Sequence, residues 1–238
     1  METKILYKDS FKGLILENVE DEMYYIGTGN PNSKILIVGK EGSSEKPGER
    51  ELCYVKHWLP VVENNKSVCF KEFYKSALSE GHTWIKYQKL HDYIFERGSK
   101  NTEKNELNFK ERFFTTEMNI NRSKKTKDAS KVGIQERKDT FFKSEFIQQF
   151  PIIILACGDY IQNNDKVREI DDIFGVKFDE KYPNVESPNR QAFWTHYNPD
   201  KTKLVIHTRQ LSNDVSNDLL IEMANVIKGF LVKISNEE

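Results

Sequence analysis

The pattern of hydrophobic and polar positions predicts four short strands. Two of them, Lys34–Gly39 and Pro151–Gly158, are continuous apolar runs that end in glycine. Runs of this kind are typical of strands buried on both faces, as in a parallel sheet covered by helices. The other two predicted strands are rich in β-branched or aromatic residues and cover Arg112–Thr116 and Lys203–Thr208.

Three further segments have apolar residues three and four positions apart, which is the spacing of an amphipathic helix. They cover residues 70–78, 85–95 and 219–231, and several residues of 212–218 are candidate N-caps for the last one. The order of these elements predicts an α/β fold, a three-layer α/β/α sandwich with a central, mainly parallel four-stranded sheet. We expect one domain over residues 1–238, with an N-terminal extension at 1–30 and a basic insertion at 121–145.

Composition and charge narrow the class of protein. The chain has 238 residues, of which 31% are charged and 37% hydrophobic, and its formal net charge is −1. This length allows a sizeable core, and the near-zero charge excludes a protein that holds nucleic acid by a global positive field. Basic residues concentrate locally instead, because residues 121–131 carry five basic side chains and one acidic side chain.

The cysteines and the N-terminus indicate the compartment. Cys53, Cys69 and Cys157 match no metal or redox spacing, which argues against a disulfide framework and predicts a cytoplasmic protein without a metal ion. The N-terminus lacks a basic segment followed by an apolar one, and the longest apolar run, Ile152–Cys157, is far shorter than the ~20 residues of a membrane span. We expect neither a cofactor nor a membrane partner.

Polar side chains follow the predicted strands, at the edge where ligands bind in open α/β sheets. The loop Gly39–Gly48 contains Glu41, and the fourth strand runs into His207. Taken alone, such a loop is typical of a solvated turn, and such a histidine of a structural hydrogen bond. Because this carboxylate and this imidazole come from opposite ends of the sequence toward one cleft, we interpret them as a candidate site.

Three segments resemble the uracil-DNA glycosylase superfamily, and the similarity covers roughly residues 30–232. Ile37-Val-Gly-Lys-Glu-Gly-Ser43 lies where the family has its water-activating loop. Residues 150–162 resemble the third strand of the family and its Trp-Gly-x-Tyr-Ala continuation. Val205-Ile-His-Thr-Arg-Gln-Leu-Ser212 resembles the strand that ends in His-Pro-Ser-Pro-Leu-Ser.

The resemblance implies a DNA glycosylase that hydrolyses the N-glycosidic bond of a flipped uracil or modified base in DNA. It implies that Glu41 activates the water, that His207 steadies the leaving base and that Leu211 wedges into the duplex. The residues implied to bind substrate are Gly39, Lys40, Ser43, Thr116, Asn119 and Trp84. The residues expected to contact DNA are Arg209, Leu211, Ser212 and, from their charge, Arg122, Lys124, Lys125 and Lys127.

Three positions differ from the family pattern and leave the identity of the base open. Glu41 is one methylene longer than the catalytic aspartate of the family. Thr116 aligns with the asparagine that reads the base, while Asn119 follows three residues later. Ser43 aligns with a tyrosine that excludes the thymine methyl group.

Two other interpretations stay open at this point. The chain could be a catalytically silent nucleic-acid-binding or nucleotide-binding module of the same fold. It could also be an unrelated α/β hydrolase that uses a glutamate and a histidine on a small substrate. The missing Gly-x-Ser-x-Gly motif disfavours the second of these.

Overall fold

The structure is a computed structural model that describes residues 5–42, 52–69, 82–95, 107–182, 191–212 and 214–236. Within these ranges lie seven strands of one mixed sheet and seven α-helices. The strands are β1 (Thr28–Gly29), β2 (Ile35–Gly39), β3 (Phe113–Glu117), β4 (Ile152–Leu155), β5 (Lys177–Tyr182), β6 (Phe193–Tyr197) and β7 (Leu204–Thr208). The helices are α1 (Asp9–Glu17), α2 (Val55–Glu63), α3 (His82–Phe95), α4 (Ile134–Asp139), α5 (Glu145–Gln148), α6 (Glu169–Phe174) and α7 (Asn217–Asn236).

The strand order across the sheet is β1-β3-β2-β4-β7-β6-β5. The four central strands β3, β2, β4 and β7 are parallel, and they are the four runs that the hydrophobic pattern predicts. Strand β1 at one edge, and β6 and β5 at the other, pair antiparallel. The α/β class is therefore confirmed, but the expectation of a four-stranded sheet is wrong, because three antiparallel strands extend its two edges.

Strands β2 and β4 form the centre of the core. Each residue of Ile35–Val38 and Ile152–Leu155 is exposed by 1% or less. Burial of one aliphatic side chain of this size stabilises the fold by about 1.5–3 kcal/mol. Both faces of these strands are covered, which explains why their sequences are continuous apolar runs rather than alternating ones.

Helices cover both faces of the sheet. Neighbouring residues of a strand point to opposite faces, and two phenylalanines of β3 identify what lies on each. Phe113 contacts the ring of Phe95 in α3, and α7 packs along α3. Phe114 contacts Phe11 of α1 and Phe146 of α5. One face of the sheet therefore carries α3 and α7, and the other carries α1 and α5.

The predicted helices and segments have different outcomes. The segment 85–95 lies in α3 and 219–231 lies in α7, whereas 70–78 is outside the described residues. The predicted extension 1–30 contributes Phe11 to the core and β1 to the sheet. No helix in the described ranges is both long enough and apolar enough to span a membrane.

Candidate active site

The segments that follow β2 and β3 stay paired beyond the ends of the two strands. The amide of Asn119 donates to the carbonyl of Lys40 at 2.8 Å, and the amide of Ser123 donates to the carbonyl of Gly42 at 3.0 Å. A Cβ atom on Gly42 would lie 3.1 Å from Nη1 of Arg122, so the absence of a side chain allows this close approach. Backbone pairing thus fixes the residue between Lys40 and Gly42 at the carboxyl edge of the sheet.

That residue is Glu41, whose side chain is buried with 8% of its surface exposed. Its Oε1 atom accepts a 2.6 Å hydrogen bond from Oγ1 of Thr126. Its Oε2 atom is also buried, and it has no hydrogen-bond partner among the described residues. An unsatisfied buried acceptor costs about 1–3 kcal/mol, and a charged one costs more. Oε2 is therefore available to accept a hydrogen bond from a water molecule or a ligand.

Tyr160 lies next to Glu41, in the short 3-10 turn Gly158–Tyr160 after β4. Its buried hydroxyl is close to the Glu41 carboxylate and the Asn119 amide, but it forms no hydrogen bond of regular geometry within the described ranges. Burial, followed by the neighbouring Glu41 carboxylate, raises the pKa of Tyr160 to about 12. The phenol therefore stays protonated at neutral pH and can donate to a carboxylate or to a bound group.

His207, at the end of β7, contacts the same turn from the other side. Its Nε2–H donates to the carbonyl of Gly158 at 2.9 Å, and its ring centroid is 5.7 Å from that of Trp194. Burial lowers the pKa of His207 below its ordinary 6.5, although the Gly158 carbonyl acts in the opposite direction. The ring is thus neutral at pH 7, with Nδ1 as its acceptor. Glu41 and His207 flank the turn 158–160 from β2 and β7.

Two lysines surround the Tyr160 ring. Nζ of Lys40 is 5.1 Å from the ring centroid and 2.7 Å from Oδ1 of Asp159. Nζ of Lys131 is 5.5 Å from the same centroid. The hydrogen bond from Lys40 is the largest cause that lowers the pKa of Asp159. The ammonium groups offset the negative charge of the two carboxylates at this edge.

The predicted DNA-contacting lysines lie in the loop that carries Thr126. Thr126 stands between Lys125 and Lys127 and bonds Glu41 through its hydroxyl. The side chains of Lys124, Lys125 and Lys127 are exposed, and Arg122 is half-buried against Gly42. The structure therefore brings the basic loop to the rim of the Glu41 site. These residues, Arg122, Lys124, Lys125 and Lys127, are called the basic rim below.

Two predicted substrate contacts differ in their surroundings. Oγ1 of Thr116 donates to the carbonyl of Ile26 at 2.7 Å and accepts from Nη2 of Arg137 at 2.9 Å. This hydroxyl is engaged within the fold, so the prediction that Thr116 binds substrate does not fit the structure. Asn119 is buried beside Tyr160, and its Nδ2 donates to the carbonyl of Ser130 at 2.8 Å. Asn119 therefore lies at the site, where it also anchors the basic loop.

The prediction that Leu211 wedges into a duplex is wrong. Its side chain has no exposed surface and belongs to the hydrophobic core, because the segment after β7 turns inward before α7. A side chain in this position cannot enter a duplex. The neighbouring predicted contacts remain at the surface, since Arg209 is exposed and forms a 3.6 Å ion pair with Asp214, and Ser212 is half-buried.

The remaining predicted substrate contacts are Trp84, Gly39 and Ser43. The Trp84 ring packs on Phe109, and Nζ of Lys110 lies 4.0 Å from its centroid. These contacts tie the ring to the segment that precedes β3. A Cβ atom on Gly39 would lie 2.2 Å from Oε2 of Glu117, which gives this glycine a packing role. Ser43 is outside the described residues.

Sequence reasoning missed three residues that build the site. Thr126 holds Glu41, Tyr160 borders it, and the buried Arg137 joins the carbonyls of Glu117 and Tyr25 behind it. The contact between Thr126 and Glu41 spans 85 positions of the sequence, so no local motif reports it. Two signals point to Tyr160: it lies two residues after the glycine that ends an apolar run, and it matches the tyrosine of the Trp-Gly-x-Tyr-Ala continuation.

Comparison of the chain with protein-family models and with curated proteins gives no match. Among the described residues, no group of three or more His, Cys, Asp or Glu side chains could hold a metal ion. A fold of this class hosts many unrelated activities. The function is therefore argued from the chemistry of the site itself.

Proposed function

We propose that this chain is a hydrolase of the DNA glycosylase type, which cleaves the N-glycosidic bond of a base turned out of a nucleic-acid strand. The observation that supports it is the buried Glu41 carboxylate at the end of β2. One of its oxygens is held by Thr126, and the other has no hydrogen-bond partner among the described residues. A carboxylate with one fixed and one available oxygen is suited to orient a water molecule.

The chemistry of the reaction requires such a group. As the bond between sugar and base lengthens, positive charge develops on the sugar and negative charge on the base. A water oxygen forms the new bond to the sugar carbon, the bond from carbon to base nitrogen breaks, and Glu41 receives the water proton. The negative charge of Glu41 also stabilises the cationic sugar, while the Thr126 hydroxyl fixes the carboxylate.

His207 serves the leaving base in this proposal. Its ring is neutral, and its Nε2–H donates to the Gly158 carbonyl in the free protein. A base oxygen that takes up negative charge is a stronger acceptor than this carbonyl. Binding of the base therefore exchanges one hydrogen bond of His207 for another, without the cost of removing a proton.

In this proposal the basic rim contacts the phosphates of the nucleic acid. Its three exposed lysines flank the residue that bonds Glu41. Phosphate contacts set position and affinity without reading sequence. A local basic surface of this kind is compatible with a formal net charge of −1.

The test is base release from oligonucleotides. Single-stranded and duplex oligonucleotides that contain uracil and a panel of other altered bases are incubated with the protein and then treated with alkali. We expect strand breaks at the altered base with the wild type, and at least a hundredfold slower release with Glu41→Gln, which keeps shape but loses charge. Glu145→Gln, at an exposed glutamate of α5, is the matched control. Absence of release across the panel by folded protein would refute the proposal.

A second candidate is a binding module without catalysis, and two observations favour it. Leu211 is in the core, and the Nε2–H of His207 is engaged by a backbone carbonyl. In that case Glu41→Gln and His207→Gln bind oligonucleotides as tightly as the wild type, and no base is released. Fluorescence anisotropy on the same oligonucleotides separates this candidate from the enzyme.

A further inference from the structure

Two large apolar side chains are exposed beside the candidate site. Val132 is 80% exposed and Ile120 is 48% exposed. Single exposed apolar residues are ordinary on protein surfaces, so exposure alone means little. What distinguishes this pair is how it is held and what surrounds it.

The backbone that carries Val132 is fixed to the site by side-chain hydrogen bonds. Nδ2 of Asn121 donates to the carbonyl of Val132 at 2.7 Å, and Nδ2 of Asn119 donates to the carbonyl of Ser130 at 2.8 Å. The next residue, Gly133, has a φ of 85°, which turns the chain sharply into α4. Because Asn119 itself lies against Tyr160, the exposed valine is held on a fixed loop beside Glu41.

The loop that carries Val132 is rich in lysine. Lys131 precedes it with Nζ near the Tyr160 ring, and the exposed lysines of the basic rim belong to the same loop. An apolar tip among ammonium groups fits a duplex in which phosphates meet the charges and unstacked bases meet the apolar side chain. A membrane or protein partner would not require the carboxylate at the centre.

We propose that Val132 is the side chain that enters a nucleic-acid duplex when the base beside Glu41 is turned out. The proposal deepens the function proposed above and rests on it, and it assigns duplex rather than single-stranded substrate. Valine is stiff about χ1, so little rotamer freedom is lost on insertion. Leu211, buried in the core, cannot fill this role.

The experiment measures binding and duplex distortion without turnover, in the Glu41→Gln background. The probes are a duplex with 2-aminopurine next to an altered base and the matching single strand. We expect the protein to raise the 2-aminopurine fluorescence of the duplex. Val132→Ala should remove most of that rise and weaken duplex affinity about tenfold, as loss of two buried methyl groups implies, with no change for the single strand.

Two variants control for shape and position. Val132→Thr keeps the branched shape, and its loss of duplex affinity and of fluorescence rise should lie between those of the wild type and Val132→Ala. Val232→Ala removes another exposed valine, 62% exposed, near the end of α7, where the adjacent Lys233 bonds the carbonyl of Lys201 before β7. This variant should leave binding unchanged. All variants should keep the wild-type unfolding transition, because these side chains are exposed.

The outcomes separate the two proposals. A Val132-dependent fluorescence rise without base release from the panel supports the inserted valine and refutes the enzyme. The ratio of base release from duplex to base release from single strand is then compared between the wild type and Val132→Ala. An equal ratio refutes the inserted valine and leaves the proposed enzyme unaffected. Failure to bind duplex, or binding without a fluorescence rise, also overturns the role of Val132.

Discussion

The hydroxyl of Thr126 donates a 2.6 Å hydrogen bond to Oε1 of Glu41 across 85 positions of the sequence. This bond joins the loop after β3 to the loop after β2, and it joins a stretch rich in lysine to a buried carboxylate. The same threonine therefore determines both the orientation of Glu41 and the position of the exposed lysines beside it.

Removal of this donor should destabilise the protein. Thr126→Val keeps the shape of the side chain but leaves both oxygens of a buried carboxylate without a partner. We expect the free energy of unfolding to fall by about 1–3 kcal/mol at pH 7, measured by urea denaturation. Thr126→Ser keeps the hydroxyl and should lose less than half as much. Equal losses in the two variants would show that the methyl group, and not the hydrogen bond, is responsible.

Tyr160→Phe should have the opposite effect on stability. The Tyr160 hydroxyl is buried without a regular hydrogen bond in the described structure, so its removal relieves a desolvation cost. We expect an unchanged or higher free energy of unfolding, by up to about 1 kcal/mol, measured by urea denaturation. A loss of stability as large as that of Thr126→Val would contradict the geometry described here.

The lowered pKa of His207 predicts a pH dependence of stability. Burial lowers this pKa below 6.5 in the folded protein, whereas the unfolded chain keeps the ordinary value. Below about pH 6.5 the unfolded state therefore binds more protons, and stability falls as the pH falls. Urea midpoints between about pH 7.5 and pH 5.5 should decline less steeply in His207→Gln than in the wild type. The buried His196 stays in both proteins, so only the difference between their slopes reports His207. Identical slopes would contradict the prediction.

Gly158 should not tolerate a side chain. Its φ is +54°, and a Cβ atom there would lie 3.1 Å from Cε of Lys40. We expect Gly158→Ala to cost about 1–2 kcal/mol of unfolding free energy from the left-handed backbone alone, with further loss if the pair of Lys40 and Asp159 is displaced. Gly229→Ala in α7 has open space around it and should stabilise the protein by about 0.5–1 kcal/mol. Thermal unfolding of both variants checks the contrast.

The basic rim predicts a specific salt dependence of nucleic-acid binding. If Lys124, Lys125 and Lys127 each neutralise a phosphate, changing all three to glutamine should reduce the slope of log K against log salt by about 2–3 for duplex DNA. Lys177 and Lys181 on the edge strand β5 and Lys228 of α7 are also exposed, and changing these three to glutamine is a control that removes the same number of charges. A slope that changes equally with the control lysines would indicate a general charge effect.

The central strands could be predicted because burial on both faces leaves a strong mark in the sequence. β2 and β4 are continuous apolar runs, and this pattern is visible without knowing which residues pack against them. β5 leaves no such mark, since Lys177–Tyr182 is largely exposed and mostly charged, and β1 is only two residues long. Edge strands depend on their neighbours more than on their own side chains, so pattern alone does not reveal them.

The candidate site was predictable where its residues adjoin the central strands. Glu41 and His207 follow apolar runs, and the carboxyl ends of parallel strands share one edge, so their approach to the turn 158–160 follows from topology. Thr126 enters the site through loop geometry that the sequence does not encode locally, whereas Tyr160 follows the end of a predicted strand. Leu211 was expected at the surface from the resemblance alone, and it is buried because whether a loop turns inward depends on the packing beneath it.

The segments after β2 and β3 stay paired, so the Glu41 site forms only when these two strands are in the correct register. Side chains alternate between the two faces of a sheet, so a slip of one residue between these strands would turn Glu41 away from Thr126. The mispaired chain would then hold a buried carboxylate without the Thr126 donor. The hydrogen bond between Thr126 and Glu41 thus penalises the neighbouring register, and a chain that forms the site has already aligned its central strands.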